Sequence, residues 1–220
     1  MRIEIVVFDG FDELDAIGPL EVLRNLAVGR PEVTVALVAP DAVSTVLASH
    51  GLRVEVDTEL GEEADLLIVP GGGWVDQRED GVHGEIARGV LPQRIAAAHA
   101  GGATVAGVCT GAMLIGAAGL LEGRPATTLR SAHEELAGYG ARLLSERVVD
   151  DGDLVSCGGV TSGLDLAFWL VEREFGSSYA RVIATGMEYE RRGSVYLGAG
   201  GARAARRPAV AGETPVTQPS

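Results

Sequence analysis

Lysine is missing from this chain: among 220 residues all eighteen basic side chains are arginines. Schiff-base catalysis, covalent attachment of pyridoxal phosphate and a P-loop phosphate clamp all need that amine, so all three are excluded. Cysteine is scarce, with only Cys109 and Cys157. Two thiols without a secretory signal fit a reducing compartment and argue against a disulfide framework. No apolar run approaches the roughly 18 residues that span a bilayer. The first eight residues carry Glu4 inside their apolar stretch and lack a small-residue cleavage site, so they do not read as a signal peptide. Bases are also outnumbered: 31 acids leave a net charge of −13, a poor match for a phosphate backbone. The expectation is a cytoplasmic protein that binds neither membrane nor nucleic acid.

What is present is ordinary globular material. Hydrophobic residues make up 46% and charged residues 22%, and the length suits one domain with a sizeable core. Residues 2–8 form a β-rich run closed by Asp9-Gly10. Gly18-Pro19 reads as the opening of a helix through about residue 27, with proline in its first turn. Apolar strands are expected at 33–39, 66–69 and 104–108, and a half-exposed one at 52–56. The run Leu66-Leu67-Ile68-Val69 has the continuous apolar character of a parallel strand covered on both faces. Helices are expected at 92–100, from Cys109 to residue 118, near 131–137, at 161–175 and at 177–185, with short strands around 142–149 and 154–156. Such alternation predicts an α/β three-layer sandwich with a mostly parallel sheet. From residue 198 periodicity vanishes, so residues 1–197 are read as the domain. Residues 198–220 are read as a disordered tail, in which Arg203, Arg206 and Arg207 are solvated.

One constellation carries chemistry. In Val105-Ala106-Gly107-Val108-Cys109-Thr110-Gly111 a cysteine sits between a buried strand and a helix, with glycines two residues to either side. This is the cysteine counterpart of the G-x-S-x-G nucleophile elbow. The helix start offers N–H groups and a partial positive charge that favour thiolate. Cys157 lies off any helix start and reads as a packed core residue. The four histidines His50, His83, His99 and His133 lack a local context that marks a base. The stronger partner is acidic. Asp15, on the loop after the first strand, can face the elbow across the sheet edge, although spacing alone leaves it a capping or solvated charge. Asp12 and Glu13 are expected to face solvent. Trp74, Met113 and Ile17 are candidates for an apolar pocket. Nothing in the sequence calls for a metal or an organic cofactor.

In order, Asp15-Ala16-Ile17-Gly18-Pro19-Leu20-Glu21-Val22, Val69-Pro70-Gly71-Gly72, Val108-Cys109-Thr110-Gly111-Ala112, the Ala117-Ala118-Gly119-Leu120-Leu121 stretch and Gly159-Val160-Thr161-Ser162-Gly163-Leu164-Asp165 resemble the ThiJ/PfpI superfamily. Within it the chain is most similar to the isonitrile hydratase branch. The resemblance runs from Ile3 to about Tyr189. It implies a flavodoxin-like fold, a homodimer, a small-molecule substrate and hydration of an isonitrile. It also implies Cys109 as nucleophile, Asp15 as its acid and base, Thr110 as a hydroxyl aid and Gly72 with Thr110 as backbone donors of an oxyanion-type hole. Trp74 would line the substrate pocket. Carbonyl chemistry of the glyoxalase or deglycase type is the second expectation. A regulatory domain is the third, disfavoured by the charge and by the short stretch after residue 197. One departure stands out: relatives carry a histidine where this chain has Leu129, which weakens a Cys–His dyad.

Overall fold

The computed structural model describes residues 1–204. The chain runs β1 (Arg2–Val6), α1 (Glu13–Gly29) and β2 (Thr34–Ala39), then a hairpin of β3 (Thr45–Leu47) and β4 (Arg53–Glu55). After β5 (Thr58–Glu59) and β6 (Leu66–Val69) come α2 (Val82–Arg88) and α3 (Val90–Ala100). The centre continues with β7 (Thr104–Val108), α4 (Gly111–Ala117), β8 (Pro125–Ala126), α5 (His133–Ala137) and β9 (Arg142–Leu143). It closes with β10 (Val148–Asp150), β11 (Leu154–Cys157), α6 (Ser162–Phe175), α7 (Ser177–Gly186), β12 (Val195–Leu197) and α8 (Ala199–Ala204).

Eight strands form one sheet in the order β12-β10-β11-β7-β6-β1-β2-β5, parallel except for the β10–β11 pair. Helices cover both faces, the three-layer sandwich that the alternation predicted, in the flavodoxin-like form that the resemblance implied. The apolar strands behave as their composition dictates: every residue of β6 and β11 is buried, as are Val105 to Val108 of β7. Each such Val, Leu or Ile side chain contributes about 1.5–3 kcal/mol on leaving water.

The chain leaves β1 for β2 on one side, and later returns to β6 on the other. This reversal opens a crevice at the C-terminal strand ends. The neighbours β11, β7, β6 and β1 run parallel, so the loops that follow all four meet there. These loops carry Gly158–Val160, Cys109 and Gly71–Gly72, and the first turn of α1 after β1 brings Asp15.

Helix α1 corrects the expected boundary. It starts at Glu13, capped by the Asp12 side chain on the Leu14 N–H, and Pro19 lies inside it. The cap, not the proline, marks the start. Asp15 therefore belongs to the first helical turn rather than to a loop. Helix α2 and strand β9 also emerge where the sequence offered only loops or one blurred strand. At the other end, Gly198 N–H donates to the Asp150 carbonyl at 2.8 Å and α8 follows. Ordered backbone thus continues past the expected boundary at 198, while residues 205–220 with Arg206 and Arg207 lie outside the described residues.

Candidate active site

Cys109 follows β7 with φ +54°, a left-handed conformation that L residues other than glycine adopt at a cost of about 1–2 kcal/mol. The flanking glycines make room for this turn. A Cβ on Gly107 would lie 2.9 Å from Ile115 Cδ1 and 3.1 Å from the Ala112 nitrogen, and one on Gly111 would run into the Val69 carbonyl. The elbow is held by its backbone: Cys109 N–H donates to the Gly158 carbonyl at 3.2 Å, and the Thr128 hydroxyl donates to the Cys109 carbonyl at 2.7 Å. The backbone N–H groups of Val160 and Thr110 favour the ionised form of the thiol.

Asp15 is fully buried. Its Oδ2 accepts the Gly71 N–H at 3.0 Å. Oδ1 has no conventional hydrogen-bond partner among the described residues, and the Cys109 thiol is the side chain near enough to bond the group. Burial first, and the charge of Asp12 second, hold the Asp15 carboxyl well above the usual carboxylate range. Both causes favour the carboxylic acid over the carboxylate that a surface aspartate would be. The thiol is displaced as well. Burial, then the Asp15 charge, push Cys109 up to about 12 against the pull of the two N–H donors. Both shifts run against the expected thiolate and toward a thiol beside a protonated carboxyl, because desolvation outweighs the short helix behind the elbow.

The glycine loop after β6 is packed against both partners. A Cβ on Gly71 would lie 2.6 Å from the Thr110 nitrogen. The Gly71 carbonyl accepts the Asp12 N–H at 2.8 Å, and the Gly72 carbonyl accepts the Val82 N–H at 2.9 Å. The Gly72 N–H donates to Thr110 Oγ1 at 3.1 Å. Of the expected pair of amide donors, the Gly72 N–H is therefore committed to the Thr110 hydroxyl. What the loop presents to the crevice is an oriented hydroxyl, with its own proton free to donate.

A cleft of about 370 Å³ opens over this group. Cys109, Thr110, Gly72, Trp74, Leu129 and Val160 line its walls, and Asp12, Ser49, His50, Asp76 and Arg78 stand at its rim. Trp74 is fixed from behind, its ring stacked on His83 at 4.0 Å and 12°. Met113 is fully buried and, like Ile17, is not among the lining residues. Cys157 is fully buried with a free thiol. His99 pairs with Asp153 at 2.9 Å, and His133 Nε2 lies 3.2 Å from the Thr128 carbonyl. Among the described residues no cluster of His, Cys, Asp and Glu could hold a metal ion, and no helix is long and apolar enough to cross a membrane.

The DJ-1/PfpI family profile matches residues 1–173. The chain belongs to the DJ-1/PfpI family. It is 34% identical to the isonitrile hydratase of Pseudomonas putida, over 86% of this chain and 78% of that one. It is 29% identical to a deglycase of Thermococcus kodakarensis, over 71% of this chain and 89% of that one. Among solved structures, a ThiJ/PfpI family protein from Pseudomonas syringae superposes with a TM-score of 0.78 at 27% identity, covering 87% of this chain and 76% of that chain.

Two residues of this DJ-1/PfpI site escaped the sequence. Val160 is β-branched yet has φ +26°, and its N–H reaches the thiol. The glycine pair Gly158-Gly159 before it was the available signal of an unusual turn. His50 lines the cleft and is clamped by Glu13, with Nδ1 2.6 Å from Glu13 Oε2. Glu13, expected in solvent, is thereby committed. Residues 37 positions apart left no sequence signal.

Proposed function

We propose that this protein hydrates isonitriles, converting R–N≡C and water to an N-substituted formamide. One observation carries the reading: the acid–base group beside the Cys109 thiol is a wholly buried carboxyl whose surroundings favour its protonated form, and the cleft wall carries Leu129 rather than an imidazole. An isonitrile carbon has to gain both a proton and a nucleophile, which a thiol and a carboxylic acid supply together. Similarity to an isonitrile hydratase supports the same reading.

The resting protonation state is sufficient for the whole cycle. Asp15 gives its proton to the isonitrile carbon while the C–S bond forms, and the thiol proton passes to Asp15. The product is a thioimidate, R–N=CH–S–Cys109, with Asp15 again protonated. Asp15 then protonates the imine nitrogen as water adds to the carbon, and takes a proton from that water. The C–S bond breaks, the hydroxyl proton returns to sulfur, and the formamide departs. Thr110, oriented by Gly72, holds the water or the substrate nitrogen. Val160 and Thr110 N–H groups carry the negative charge that develops on sulfur as the C–S bond breaks. Trp74, Leu129 and Val160 receive the substituent. The protein works as a homodimer in this reading, and light scattering that shows a strict monomer at micromolar concentration removes that part.

The test is incubation of purified protein with cyclohexyl isocyanide, with methylglyoxal in parallel. Formamide production lost in Cys109→Ala supports the hydratase. Turnover of methylglyoxal alone overturns it in favour of carbonyl chemistry, the activity named for the Thermococcus relative.

A further inference from the structure

His50 stands in the cleft without a task in the reaction above. Glu13, the first residue of α1, takes its backbone N–H at 2.7 Å on Oε1 and its Nδ1 at 2.6 Å on Oε2. This double contact anchors the turn after β3 to the helix that carries Asp15. The ring itself stays open, 74% exposed, and Nε2 has no partner among the described residues. The charged groups around it are Glu13 and Asp12 of the α1 start, and Arg78 of the loop after β6. Arg78 is engaged by Asp80 at 2.8 and 2.7 Å, which leaves His50 as the rim donor with a free ring nitrogen.

Because a carboxylate holds Nδ1 as a donor, the proton that titrates is the one on Nε2. Hydrogen bonding to Glu13, then its charge, raise the imidazolium above its ordinary value of 6.5. Protonated, Nε2 donates into the cleft; deprotonated, it accepts.

We infer that His50 is a specificity-determining residue whose Nε2–H binds a hydrogen-bond acceptor at the far end of the isonitrile substituent, so that the cleft selects acceptor-bearing over purely hydrocarbon isonitriles. The inference rests on the hydratase reading. Asp12 and Asp76 on the same rim oppose a carboxylate there and favour a neutral acceptor such as an ether or carbonyl oxygen.

The experiment compares kcat/KM for cyclohexyl isocyanide and its near-isostere tetrahydropyran-4-yl isocyanide, in which one CH₂ becomes an ether oxygen. The ratio cancels whatever pH dependence the two share at Cys109 and Asp15. A preference of about tenfold for the ether is expected at low pH, as for a hydrogen bond from a charged donor. It should fall away as pH rises through the His50 titration. His50→Ala should bring the ratio to one at every pH. His50→Gln, which keeps an N–H donor that does not titrate, should retain a preference that is flat with pH. Equal turnover of both substrates, or a ratio untouched by His50→Ala, overturns the inference and leaves the hydratase standing. Turnover of neither isonitrile overturns both.

Discussion

The wholly buried carboxyl of Asp15 is, after burial itself, the strongest opponent of ionisation at the Cys109 thiol. The two groups arrive from opposite sides of β6, Asp15 from the helix after β1 and Cys109 from the turn after β7. Burial and the Asp12 charge favour the proton on Asp15 against the pull of the thiol, whereas burial and Asp15 favour the proton on Cys109; each has to give that proton up during a turnover. Their coupling can be tested from both ends.

Replacing Asp15 should separate activity from stability. Asp15→Asn keeps an oxygen for the Gly71 N–H but removes the acid, so hydration should fall by at least about a hundredfold. The folded-state pKa of Asp15 lies above its ordinary value of 3.8. Its contribution to stability is therefore complete below about pH 4 and is lost as pH rises through the folded pKa. Asn should accordingly raise Tm more at pH 8 than at pH 4. About 1 kcal/mol corresponds to roughly 2–4 °C in a domain of this size. Melting curves of both proteins across that range decide it; an equal Tm difference at both ends contradicts the buried-acid assignment.

Alkylation reports on the thiol directly. With Cys109 pushed up to about 12, the iodoacetamide rate should keep climbing through pH 10 without the plateau of a free cysteine near 8.5. At alkaline pH, where Asp15 ionises, Asp15→Asn should raise the rate, because the opposing charge is gone while burial remains. Leu129→His should raise it further by placing an imidazolium on the cleft wall. A plateau below pH 9 in the unsubstituted protein would restore the thiolate.

Thr110 offers a test of the oriented hydroxyl. Thr110→Val keeps the shape but leaves the Gly72 N–H without its acceptor, at a cost of about 1–3 kcal/mol in stability. Hydration should drop with it. Thr110→Ser restores the oxygen and should recover most of both. Equal activity in Val and Ser variants would show that the hydroxyl is idle.

Far from the cleft, Arg173 of α6 and Asp150 of β10 form an ion pair whose side chains are 2% and 0% exposed. Asp150 also accepts from Trp169 Nε1 and the Gly152 N–H, each at 2.7 Å. Arg173→Leu should cost about 3–5 kcal/mol by stranding the carboxylate, while Cys109 alkylation in the folded protein stays unchanged. Urea denaturation gives the first number and the alkylation rate the second.

Local chemistry explains which parts of this architecture were legible. The elbow was visible because its glycines stand two residues from Cys109, although Gly111 answers to the Val69 carbonyl of β6 rather than to its own turn. Strands β6 and β7 were visible because a strand covered on both faces has few alternatives to continuous apolar side chains. The α1 start was misplaced because Pro19 resembles an N1 proline, whereas the Asp12 cap seven residues earlier decides the boundary. Asp15 was ambiguous for a different reason: its burial is created by sheet order, and no spacing along the chain encodes which strand ends will be neighbours. The same holds for Glu13 and His50. The thiolate expectation failed because helix-end charge acts at short range while desolvation acts on the whole group, and sequence displays only the former.

The order of strands across the sheet also sets a timetable for assembly. Synthesis delivers β1, β2, β5, β6 and β7 first, and these five are contiguous in the sheet, so a partly made chain already holds Asp15, the glycine loop and Cys109. The turn that supplies the Gly158 carbonyl and the Val160 N–H arrives about fifty residues later, and β12 later still on the outer edge. The acceptor of the Cys109 N–H therefore comes from chain made well after the cysteine itself, so the β11–α6 turn is the last part to close the elbow.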